Sequence, residues 1–173
     1  MNSNITNLNN HLQVTTHDFL IYRDGNNNVK ISVMLINNNL WLTQDLIAEL
    51  FGTARSTITE HINNILKEGE LKEETSVGIS DISSGGRRPK IYNLDMIIAV
   101  GYRVNSKKAT NFRIWATKVL KEYMIKGFAM DDERLKNPNY IFGEDYFEEM
   151  LERIRNIRSS ERRFYQKITD IYS

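Results

Sequence analysis

The chain has 173 residues, 40% hydrophobic and 10% aromatic, which suffices for a packed core of ordinary size and is too apolar for a disordered chain. It has no cysteine and three scattered histidines, His11, His17 and His61, which excludes disulfides and thiolate metal sites and leaves no metal cluster or cofactor to expect. The net charge of +1 is unevenly spread, with three basic and seven acidic side chains in residues 40–75 and ten basic and three acidic in residues 76–130, so a phosphate backbone would be drawn to the middle of the chain.

Residues 1–17 are polar and rich in asparagine, without periodicity, and read as a mobile tail. They have neither the basic start nor the apolar centre of a signal peptide. No apolar run approaches the roughly 20 residues that span a bilayer, so a soluble cytoplasmic protein is expected.

Two apolar stretches, Phe19–Arg23 and Val29–Ile36, flank Asp24-Gly25-Asn26-Asn27-Asn28. Asp, Gly and Asn tolerate the positive φ of hairpin turns, so a β-hairpin is predicted, closed by the asparagines at 37–39. From Thr43 the period changes. Leu46, Ile47, Leu50 and Phe51 keep a helical rhythm, Thr43 is placed to cap it, and Gly52 stops it. A second helix carries Ile58, Ile62, Ile65 and Leu66 on one face.

Residues 76–90 contain Gly, Ser and Pro and read as a loop or hairpin, before a short strand candidate at Ile91-Tyr92. Asn93 can cap a third helix to about Val104. A fourth runs from Lys107 to Lys126 with Phe112, Trp115, Ala116, Val119 and Tyr123 in one stripe, and Gly127 ends it. Asn137-Pro138-Asn139 breaks the chain, and a long charged helix follows from Glu144. The fold class expected is α+β and helix-rich: a flexible tail over 1–17, a winged helix-turn-helix unit over 18–130, a linker over 131–143 and a long helix over 144–173.

The segment Gln44–Asn63 fits a helix-turn-helix. Ala48 is small where the second helix would cross the first, Gly52 sits four positions later in the turn, and Ile58 six further on anchors the second helix. In that frame Arg55, Ser56, Thr59, Glu60 and Asn63 lie on the outer face, as donors and acceptors suited to base edges in a major groove. Thr43 and Gln44 lie near a phosphate. The bland alternative is a helical hairpin that only packs or binds protein, and the local acidity of Glu49, Glu68, Glu70, Glu73 and Glu74 favours it unless these side chains face away.

Ser83-Ser84-Gly85-Gly86-Arg87-Arg88-Pro89-Lys90 brings three positive charges beside two glycines. In a winged helix-turn-helix such a loop can lie along the backbone, with Arg87, Arg88 and Lys90 on phosphates, or reach a minor groove; its plain reading is a solvated turn. It lacks the spacing of a phosphate-binding loop. Lys107, Lys108, Arg113, Lys118 and Lys121 either extend the phosphate-facing surface or form a solvated helix face, and Trp115 reads as core.

Met150, Ile154, Ile157, Glu161, Phe164, Ile168 and Ile171 are spaced 4, 3, 4, 3, 4, 3, a heptad seam broken by Glu161. This helix either docks on the preceding domain or pairs with a second copy, and a homodimer would present two recognition helices to paired half-sites.

The stretches WLTQDLIAELFGTARSTITEHINNILKEGEL, RRPKIYNLDMIIAVGYRVNSKKATNFRIWATKVLKEYMIKGF and LKNPNYIFGEDYFEEMLERIRNIRSSERRFYQKITDIY resemble, over about residues 18–172, the RhuM family of bacterial virulence-associated proteins. The middle resembles, more weakly, the Bro-N domain of phage antirepressors, through Phe112-Arg113-Ile114-Trp115. The resemblance implies a DNA-binding protein of mobile or horizontally acquired regions. No dehydrogenase role is carried over, because the chain has no GxGxxG.

The leading expectation is therefore sequence-specific binding of double-stranded DNA, with no catalytic residues, metal, cofactor, membrane segment or small-molecule substrate. The alternative is a protein-interaction or antirepressor-like module without DNA binding of its own.

Overall fold

The computed structural model describes residues 15–24, 27–37, 39–80, 88–132, 135 and 146–171. The chain is α+β and divides into two compact units, Met1–Gly127 and Phe128–Ser173.

In the first unit, β1 (Thr15–Asp24) and β2 (Asn27–Ile36) form the expected antiparallel hairpin, longer than the apolar runs suggest. Thr15, Thr16 and His17 pair with Leu35, Met34 and Val33, which corrects the assignment of these three residues to a mobile tail; residues 1–14 lie outside the described residues. Backbone pairing extended the strand beyond its apolar centre, a gain that composition alone does not register.

The short strand β3 (Asn39–Thr43) was not anticipated. It is central all the same, because it pairs antiparallel with β2 on one side and with β5 (Lys90–Asn93) on the other. β4 (Val77–Ile79) completes an antiparallel sheet of order β1-β2-β3-β5-β4. The segment read as loop or hairpin is thus a hairpin, β4 to β5, of which residues 81–87 lie outside the described residues.

Helices α1 (Gln44–Phe51) and α2 (Arg55–Lys67) follow β3 directly, and the one-turn α3 (Glu73–Ser76) leads into β4. The Thr43 hydroxyl caps α1 by accepting from the Leu46 amide at 3.3 Å. Gly52 ends it at φ 61°, with Gly52 N–H donating to Glu49 O and Thr53 N–H to Ala48 O. That pair of bonds satisfies two carbonyls at the helix end and needs a left-handed residue between α1 and α2.

α4 (Leu94–Arg103) and α5 (Lys107–Lys126) follow β5. Asn93 caps α4 by accepting from Met96 N–H at 3.0 Å, while its amide nitrogen donates to Thr75 O at 3.3 Å, so one side chain ties α4 to α3. Leu42, Ile47, Phe51, Ile58, Ile65, Met96, Ile97, Val100 and Val104 are fully buried and form the core between sheet and helices. Each contributes on the order of 1.5–3 kcal/mol by leaving water.

Phe112 meets Phe51 edge-on, with ring centroids 5.4 Å apart. Both rings press on Gly101, where a Cβ would lie 2.7 Å from Phe51 and 2.8 Å from Phe112. The stripe expected on α5 is buried only at its start. Phe112 is buried and Trp115 partly so, whereas Val119 and Tyr123 are exposed along with Leu120, Met124 and Ile125. Periodicity identified the apolar side of this helix but not the length over which the unit covers it.

The second unit contains α6 (Tyr146–Ile171). Its first turn carries Glu148 and Glu149, which suit the positive end of the helix dipole. Along the heptad seam Met150 is partly buried, while Ile154 and Ile157 are exposed.

Candidate nucleic-acid interface

The two faces of α2 differ sharply in chemistry. Ile58, Ile62 and Ile65 are buried, whereas Arg55, Ser56, Glu60, Asn63 and Lys67 are exposed and Thr59 half-buried. All five residues expected to read bases therefore share the side of the helix away from the core, and Lys67 extends it by one more turn. The Thr59 hydroxyl donates to Arg55 O at 2.9 Å, so its proton serves the helix backbone. α2 has no side-chain N-cap and no acidic residue in its first turn, so the positive end of its dipole is not neutralised from within the helix.

Arg55 is held by the start of α1. Its Nε donates to Gln44 Oε1 at 3.3 Å, and the Asp45 carboxylate lies 3.5 Å away. Gln44 Nε2 in turn donates to the Tyr92 hydroxyl at 3.1 Å. Arginine has no acceptor, so the amide oxygen of Gln44 must face Arg55 and its nitrogen must face Tyr92. Tyr92 is 3% exposed. Burial raises its hydroxyl above the ordinary value of 10.0, so at neutral pH it is an uncharged acceptor on β5. Tyr92 and Asp45 were missed by sequence reasoning, because neither registers until β5 is paired with β3 beside α1.

The hairpin basic residues are placed less uniformly. Arg88 and Lys90 are exposed, and Arg87 lies outside the described residues. Lys90 Nζ pairs with Glu73 Oε1 at 3.2 Å. Thr43 is occupied as the α1 cap.

The acidic residues that weighed against nucleic acid are partly accounted for. Arg103 of α4 binds Glu68 at 2.7 Å and also binds Glu70. This draws the Glu68 carboxyl below its ordinary value of 4.5 through a hydrogen bond first and charge attraction second. Two of the basic residues on α5 bond to backbone carbonyls of the preceding helices. Lys108 Nζ donates to Glu49 O at 3.1 Å, and Arg113 Nη1 donates to Gly101 O at 3.0 Å and Val104 O at 2.8 Å. The signal for Arg113 was present: an arginine in the second turn of a helix that follows another helix by three residues can reach back to its last carbonyls.

Among the described residues no group of three or more His, Asp or Glu side chains is placed to hold a metal, and no helix is long and apolar enough to cross a membrane.

The model of the virulence protein RhuM family matches residues 72–173, more than half of the chain. The chain belongs to the RhuM family. In this RhuM protein the match opens at the residue before α3 and takes in the β4–β5 hairpin, α4, α5 and α6, while α1 and α2 precede it. No curated protein and no solved structure matches the chain.

Proposed function

We propose that this RhuM protein binds double-stranded DNA in the cytoplasm through a winged helix-turn-helix, β3-α1-α2-α3-β4-β5. The observation that carries the reading is the joint placement of α2 and the basic hairpin. The strand that opens into α1 is paired with the strand that closes the hairpin, so one rigid sheet supports both. Arg55, Ser56, Thr59, Glu60 and Asn63 then face base edges in the major groove, while Arg87, Arg88 and Lys90 lie along phosphates and Gln44, both ends of whose amide are engaged, serves Arg55 instead of a phosphate. Pairing of α6 between two copies along Met150, Ile154 and Ile157 would bring two such units to adjacent half-sites.

The test is fluorescence anisotropy with a random-sequence duplex and with the DNA upstream of the protein's own gene, across a salt series. Tighter binding to the upstream duplex, falling linearly with log salt, supports the proposal. Replacing Arg87 and Arg88 with Ala should weaken binding to every sequence and lower the salt slope by about two. Absence of binding at low salt rejects it.

A second reading, a protein-interaction module, is favoured by the exposed Leu120, Tyr123, Met124 and Ile125 on α5. It predicts a stoichiometric protein complex and no DNA affinity.

A further inference from the structure

We propose that Tyr92 and Gln44 are positioning residues that aim Arg55 at a guanine, and that this guanine is the base on which site selection chiefly depends. The inference rests on the DNA-binding reading above and adds to it a base and the residues that select it.

The geometry is a chain of two hydrogen bonds from the sheet to the outer face of α2. Tyr92 is buried on β5 and cannot wander. Its hydroxyl holds the Gln44 amide at 3.1 Å, and the other end of that amide holds Arg55 Nε at 3.3 Å. An arginine side chain that is free in solution loses rotamer freedom when it binds, and one already held loses less. Gln44 engages Nε alone. Among the described residues Nη1 and Nη2 of Arg55 have no hydrogen-bond partner, and the side chain is 63% exposed. The edge left open is the one with two terminal nitrogens, whose paired N–H groups match O6 and N7 of guanine. The exposed Asp45 carboxylate lies 3.5 Å from the same Nε and adds a charge that restrains it. A guanine can therefore take the Nη edge with both internal hydrogen bonds intact.

Tyr92→Phe removes one oxygen and keeps the buried ring. In the free protein it should raise the mobility of the Arg55 Nε–H, read by NMR relaxation. In selection from randomised duplexes, preference for guanine at one position should fall about fivefold or more. Affinity for random DNA and the salt slope should stay within about twofold of wild type, as a base contact predicts and a phosphate contact does not. Gln44→Ala should reproduce the pattern by cutting the same chain one link later. In an Arg55→Ala background Tyr92→Phe should change the preference no further, because its effect runs through the missing guanidinium.

The proposal is overturned if Tyr92→Phe and Gln44→Ala leave the preference intact, if their effect persists without Arg55, or if all sequences weaken together. A wild-type chain that selects no sequence removes the DNA-binding reading and this inference with it. Selection by wild type that both variants retain removes this inference alone.

Discussion

The Arg113 guanidinium lies 2.8 Å from the backbone carbonyl of Val104 and 3.0 Å from that of Gly101, so a side chain of α5 closes the end of α4. Carbonyls at a helix end have no partner within the helix, and a charged donor serving two of them is worth more than a neutral one. Arg113→Met should lower stability by about 1–3 kcal/mol in urea unfolding. Arg113→Lys should restore only part, since an ammonium lacks the planar fork. The salt slope of DNA binding should not move in either variant, which separates this arginine from those of the hairpin.

Gly101 is the point of closest approach between α4 and two aromatic rings. Alanine there would gain up to about 1 kcal/mol in helix propensity. It would also force Phe51 and Phe112 apart, and overpacking of a filled core costs about 1–3 kcal/mol. The net expectation for Gly101→Ala is a lower melting temperature; a rise would show that the two rings can repack freely.

Glu73 and Lys90 form an exposed pair at the base of the hairpin, 3.2 Å apart. Such a pair adds little to stability, about 0–1 kcal/mol, but it occupies a cation assigned to phosphate. Glu73→Gln should leave unfolding nearly unchanged and tighten binding to random DNA, with the salt slope steeper by up to about one. Lys90→Ala should cancel that gain. Weaker binding by Glu73→Gln would remove Lys90 from the interface.

Arg103 holds the Glu68 carboxyl below its ordinary value of 4.5. A carboxylate depressed in the folded state adds stability above its unfolded value and loses it as pH falls through the folded one. The contribution should therefore be complete at neutral pH and decline only below about 4.5. Arg103→Gln should flatten this part of the stability–pH profile and leave the region above pH 6 parallel to wild type.

Much of this arrangement is written locally. Thr43, Gly52, Asn93 and Gly127 mark helix ends through their own side chains or their own φ, and α5 begins and ends where its caps stand. Isoleucine spacing on α2 likewise separates the inner from the outer face. β3 was not legible in this way: five residues with two buried leucines give too short an alternation, and its strength comes from neighbours on both sides. The hold on Arg55 was hidden for a related reason. Gln44 and Tyr92 are 48 residues apart, and only the pairing of β3 with β5 makes them neighbours. For α5 the apolar stripe was correct as a pattern, yet local periodicity does not report where the rest of the unit stops covering it.

The turn between α1 and α2 is braced from outside by the start of α5, where Ser106 donates to Phe51 O while capping its own helix, and the Lys108 stem lies against Gly52. The α1–α2 pair is therefore not a portable cassette. A fragment cut before Ser106 would keep every residue assigned to base reading and lose the scaffold that sets their angle, and a graft into another host would have to carry the first turn of α5 with it.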